Sequence, residues 1–88
     1  MKRTASIYQQ KIEWLGKAMK RKLTRNKCKV HWSDESNERL LELLKDEVDE
    51  LEYAIKTSKT PNTVLNEAAD VANIAMMLAD NHLTQNHV

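Results

Sequence analysis

Phenylalanine is absent from this chain, glycine and proline occur once each as Gly16 and Pro61, and Cys28 is the only cysteine among its 88 residues. A lone cysteine excludes an internal disulfide framework, and a reducing cytoplasm is the expected setting. The scarcity of glycine and proline removes the residues that punctuate sheets and tight turns, while Leu, Ala, Glu and Lys are abundant, so an all-α fold is expected. No stretch of about 18 consecutive apolar residues is present, nor a signal-peptide pattern, which speaks against a membrane span or export. Acidic side chains are nearly missing from the first 32 residues, where Glu13 stands against ten Lys and Arg. The remainder carries four basic residues against twelve acidic ones, so the two parts hold +9 and −8 within a net charge of +1. Such a split predicts that the basic segment folds back on the acidic part or meets a polyanion.

A chain this short makes a single domain, residues 1–88, that buries only about 60–65% of its unfolded surface. Three helices are readable from their start and stop signals. Ser6 with Gln9 three residues on reads as a capping box, opening a helix with the apolar stripe Tyr8, Ile12, Leu15, Met19 and Leu23. Ser33 reads as the N-cap of a second helix, with Asp34 and Glu35 in its first turn and an end near Lys56. Thr60 and Pro61 read as N-cap and first residue of a third helix, ending near Asn81. Residues 1–5 and 82–88 are expected as frayed ends. The short turn between helices two and three demands an antiparallel hairpin.

Within that hairpin lie two carboxylate doublets, Glu47-x-x-Glu50 and Glu67-x-x-Asp70. An i, i+3 spacing puts both members of a doublet on one helix face. At roughly 100° per residue, Leu40, Leu41, Leu43, Leu44, Val48, Leu51, Ala54 and Ile55 share one broad face. Glu47 projects from inside it, between Ala54 and Leu40, and Glu50 stands at its edge. Residues 64–79 are apolar nearly all round, with Glu67, Asp70 and Asn73 as the polar exceptions. A carboxylate turned into an apolar face is costly unless paired or bound to metal. Surface charges or lysine partners would account for one such doublet; two doublets at matching heights in consecutive helices favour a metal site. With oxygen donors alone and no histidine or cysteine at matching spacing, the donor set suits Mg²⁺, with Mn²⁺ as the substitute, and Mg²⁺ commonly completes its shell with substrate phosphates.

These residues resemble the MazG-like all-α nucleoside triphosphate pyrophosphohydrolases. The resemblance rests on Glu47-x-x-Glu50 followed after sixteen residues by Glu67-x-x-Asp70, in the contexts Leu44-Lys45-Asp46-Glu47-Val48-Asp49-Glu50-Leu51 and Glu67-Ala68-Ala69-Asp70-Val71-Ala72-Asn73. Lys22-Leu23, Asn26, Lys29 and Trp32 resemble a segment that precedes the motif in small phage-type members, and the whole spans most of residues 19 to 81. Where those members carry a His-Lys-Gly-Gly-Trp-like segment, this chain has Cys28-Lys29-Val30-His31-Trp32. The resemblance implies an oligomeric helical bundle that hydrolyses a nucleoside triphosphate between its α and β phosphates. It implies Glu47, Glu50, Glu67 and Asp70 as Mg²⁺ ligands, with a glutamate of the first doublet orienting or deprotonating the attacking water. A phage-encoded member would work in the cytoplasm of a bacterial host.

Asn73 could contact a ligand or satisfy a neighbouring helix. Lys29, His31 and Trp32 could contact phosphate and stack on a base, the alternative for Trp32 being a hydrophobic plug. Trp14 is expected to pack, and His82 and His87 to belong to the polar tail. The apolar excess of the third helix predicts a homodimer or homotetramer. The competing reading is a non-catalytic helical binding module that meets nucleic acid through Lys17, Lys20, Arg21, Lys22, Arg25, Lys27 and Lys29; the acidic part and the lack of a helix-turn-helix signature count against it.

Overall fold

The structure, a computed structural model, describes residues 2–26, 35–57 and 60–86, with side chains described over 6–24, 35–57 and 60–83. It comprises three helices, α1 (Lys2–Asn26), α2 (Asn37–Thr57) and α3 (Pro61–Asn86). Helix α3 is the centre: α1 and α2 both pack against it, and among the described residues their backbones do not approach each other closely. No described helix is long and apolar enough to cross a membrane.

The helix ends show which local signals operate. Helix α2 is capped by Ser36, whose Oγ accepts the Arg39 amide at 3.0 Å while its carbonyl accepts the Leu40 amide at 3.0 Å. The expected cap Ser33 lies outside the described residues, and Glu35 stands before the helix rather than in its first turn. Glu38 supplies the first-turn acid instead, favourable against the amino-terminal end of the helix dipole. At the start of α3 the expectation holds. Thr60 Oγ1 accepts the Thr63 amide at 3.3 Å, and Pro61, whose missing amide hydrogen would have no partner there, is the first helical residue.

Three boundaries differ from expectation. Helix α1 begins at Lys2, so Ser6 lies inside it and Gln9 donates instead to Glu13, at 3.3 Å; Lys2 to Ala5 contain no helix breaker. Helix α3 runs on to Asn86, because Asn81 is buried rather than terminal and neither glycine nor proline follows it. The frayed ends expected at residues 2–5 and 82–86 are therefore helical.

Ala18, Leu65 and Ala69 form the α1–α3 contact, flanked by Leu15 and Met19. Alanine on both sides lets the two backbones approach closely. Leu40 and Ala54 are the buried residues of α2. This core is thin: among the described residues, three of the five buried apolar ones are alanines, and no large side chain is fully buried. The α1 stripe is covered only in its second half. Leu15, Met19 and Leu23 are partly buried, whereas Tyr8 and Ile12 are exposed. Trp14, expected to pack, is also exposed, with Lys11 Nζ lying 5.2 Å from its ring centre. On α2, Leu41, Val48 and Ile55 of the apolar face remain open as well.

Candidate functional site

Midway along α2 and near the start of α3, the hairpin brings Glu47, Glu50 and Glu67 together, one carboxylate oxygen from each lying within 4.8 Å of the others. Glu47 and Glu67 are partly buried and Glu50 is exposed. The intrusion of Glu47 between Leu40 and Ala54 follows from its position on the helix wheel, since those are the buried residues of α2. Glu47 Oε2 and Glu67 Oε2 are both buried without a hydrogen-bond partner. Leaving such groups unsatisfied costs on the order of 1–3 kcal/mol each, and more when charged.

The electrostatics record that cost. Burial pushes the Glu47 carboxyl up to about 7, assisted by the neighbouring carboxylates of Glu50, Asp70 and Glu67. Glu67 is raised by burial and by the charges of Glu50 and Asp70, while the Lys22 ammonium pulls in the opposite direction. Two neighbouring carboxyls that both resist ionisation mark a place short of positive charge.

Asp70, expected as the fourth member, stands beside the triad rather than in it. Its Oδ2 is 3.3 Å from Lys22 Nζ on α1, so the second doublet is divided: Glu67 faces Glu47 and Glu50, and Asp70 turns to a lysine from another helix. Behind Glu47 lies a cavity of about 120 Å³ lined by Lys22, Leu23, Glu47, Asp70, Asn73, Ile74 and Met77. For Asn73 the contact with a neighbouring helix is the one seen. Its Nδ2 donates to the Met19 carbonyl of α1 at 3.1 Å, while Oδ1 is buried without a partner. Glu50 and Glu67 also border an open, mainly apolar groove of about 680 Å³ that continues past Tyr53 and Ala54 to Thr57, Thr60 and Thr63.

Lys29, His31 and Trp32 lie outside the described residues, as does His87; His82 is an exposed residue of α3 rather than part of a tail. Lys22 is the site residue that a search for carboxylate pairs passes over. Its signal was the +9 segment facing the −8 remainder, of which the Lys22–Asp70 pair is the physical contact.

Fold and site together define an all-α, three-helix protein with a carboxylate cluster on a helical hairpin. This chain matches no protein-family model, no curated protein and no solved structure.

Proposed function

We propose that this protein is a Mg²⁺-dependent nucleoside triphosphate pyrophosphohydrolase of the MazG-like kind, converting a nucleoside triphosphate and water to the monophosphate and pyrophosphate. The observation that carries this reading is the pair of buried, unpartnered oxygens of Glu47 and Glu67 beside Glu50. Octahedral Mg²⁺, with oxygens about 2.1 Å away, sets those oxygens about 3–4 Å apart. Oxygens already within 4.8 Å of each other need only a small side-chain rotation to reach that spacing. The donor set therefore fits, with Glu47, Glu50 and Glu67 as the residues that would hold the ion.

When bound, the ion would neutralise phosphate charge and acidify a water molecule. The rest falls to the chain's own groups. Glu50, exposed and bordering the groove, orients the attacking water and takes its proton. The groove exceeds the small cavity severalfold and is within the size range of nucleotide pockets, so it receives the substrate. The thin core adds a homodimer or homotetramer to the reading. Ile7, Ile12, Ile55 and Leu83 are each more than half exposed in the single chain, an apolar surface that association would cover.

The test is pyrophosphate release from a panel of ribo- and deoxyribonucleoside triphosphates with Mg²⁺, with Mn²⁺ and with chelator. Metal-dependent release together with the matching monophosphate is expected, and Glu47→Ala should abolish it while leaving helicity intact. No release from any nucleotide by folded, associated protein would overturn the reading. Steeply salt-dependent duplex binding in that case would favour the binding module, for which Lys17, Lys20, Arg21 and Thr24 form an exposed basic surface on α1.

A further inference from the structure

We propose that the outer flank of α2 is a self-association surface on which a second copy of this chain lies antiparallel, about a two-fold axis between Asp49 and Glu50, with each Lys45 facing Glu52 of the partner subunit. This contact rests on the homodimer or homotetramer reading above and is independent of the reaction. Leu41, Leu44, Val48, Leu51 and Ile55 follow the alternating three- and four-residue spacing that keeps side chains on one seam of a helix. Leu41, Val48 and Ile55, seven residues apart, are 46%, 44% and 62% exposed, and Leu44 and Leu51 are half-buried. The buried residues of α2 are Leu40 and Ala54, to one side of this seam, and among the described residues α1 packs on α3 without reaching α2. Two heptads are too few for a free-standing coiled coil, but they suit one helix pair of a bundle.

The seam already has the form of a receptor. A hollow of about 260 Å³ is lined by Val48, Leu51, Glu52 and Ile55 together with Lys56. The first four stand at i, i+3, i+4 and i+7, the set of four that makes the hole for one knob of a facing helix. In an antiparallel pair that knob is Val48 of the partner subunit, layered on Leu51, while Leu44 is layered on Ile55 of the partner subunit.

Charge selects this arrangement over its alternatives. Lys45 and Glu52 each follow a seam leucine by one residue, so they flank the contact. In the register just described each Lys45 meets Glu52 of the partner subunit, and the two-fold axis makes that pair twice. Sliding by one heptad sets Lys45 against Lys45 of the partner subunit, or Glu52 against Glu52 of the partner subunit. A parallel pair sets Glu52 against Glu47 of the partner subunit. All of these juxtapose like charges, which disfavours them. Glu52 is bonded to Lys56 of its own helix at 2.7 Å, yet its side chain is 59% exposed and open to a second cation. Ile12 lies on α1, outside this seam, and belongs to a second contact that joins two such dimers into the tetramer.

The experiment is a charge exchange read by sedimentation equilibrium at low salt. Lys45→Glu alone and Glu52→Lys alone each place two like-charge pairs in the contact and should weaken association at least about tenfold. An equimolar mixture of the two variants should recover the native affinity within a few-fold, because every substituted side chain then meets its opposite charge. The double variant carrying both substitutions in one chain should recover it for the same reason. Val48→Lys, which puts a charge in place of the knob, should weaken association whatever the flanking charges. Lys45, Val48 and Glu52 are all exposed in the single chain, and circular dichroism verifies that each variant remains helical.

Single variants that associate as tightly as the native chain, a mixture no tighter than its components, or an unaffected Val48→Lys would each overturn the α2 contact while leaving association and the carboxylate site standing. A native chain that is monomeric at all concentrations would overturn the association reading and this contact with it, with pyrophosphate release still the separate test of the reaction.

Discussion

Replacing Glu47 by glutamine keeps the side chain's shape and removes its ability to ionise, so it isolates the cost of holding that carboxylate where it is. The carboxyl rises from an ordinary 4.5 to about 7 in the folded protein. At about 1.4 kcal/mol per pH unit the ceiling on the effect is about 3 kcal/mol. Solvent reaches part of this side chain and its ionisation depends on the charge of Glu50, so about 1–2 kcal/mol is the expected measured value. The direction follows from linkage. The folded state keeps its proton at pH values where the unfolded chain has already lost it, so stability declines as pH rises from 4.5 through 7 and is lowest, for this group, above about 8. In chelator and at fixed protein concentration, Glu47→Gln should therefore melt roughly 5–10 °C above the native protein at pH 8. The gap should shrink as pH falls to 4.5 and close below about 3.5, where Glu47 is protonated in both states. Comparing the two proteins at each pH cancels the titration of groups remote from Glu47, leaving Glu47 and the carboxylates that interact with it. A Glu47→Gln protein that melts at or below the native temperature at pH 8 would show that the carboxylate is well satisfied, and the reasoning from its unpartnered oxygen would fail.

Three further outcomes follow from the same structure. Millimolar Mg²⁺ should raise the melting temperature of the native protein at pH 8 and chelator should reverse it, while Glu47→Gln, lacking one ligand charge, should respond much less. Ser36→Ala removes the side-chain acceptor of the Arg39 amide and should lower stability by about 1 kcal/mol in denaturant titrations. Sedimentation should find the native chain associated, and Ile12→Glu, which places a charge where the residue is 71% exposed in the single chain, should weaken that association; a monomeric native protein would contradict the argument from exposed surface.

The fold was legible where one local cause decides. Pro61 and Thr60 mark the start of α3 because a missing amide hydrogen and a hydroxyl acceptor act within one turn. The intrusion of Glu47 into the α2 face followed from angular spacing alone. Ser6 and Ser33 misled because a capping signature is permissive: helix α1 simply continues through the first, and Ser36 offers the same hydroxyl as the second at the position where α2 begins. The site was legible up to its triad, which two consecutive helices and a short turn determine. Asp70 was not, because its partner comes from α1, and a helix wheel contains no information about which side chain another helix delivers. The same holds for Asn73, whose amide nitrogen bonds a carbonyl of α1.

The hairpin also bears on the order of events as the chain folds. Its three clustered carboxylates come from positions at most twenty residues apart, joined by a turn of a few residues, while the ammonium arrives from a helix that, among the described residues, packs on α3. Short loops close fastest, so the negative charges meet before their counter-ion docks. Dissolved cations or protons must quieten that encounter in the interval, and refolding should accelerate with divalent ions or mild acid even in a protein denied any substrate.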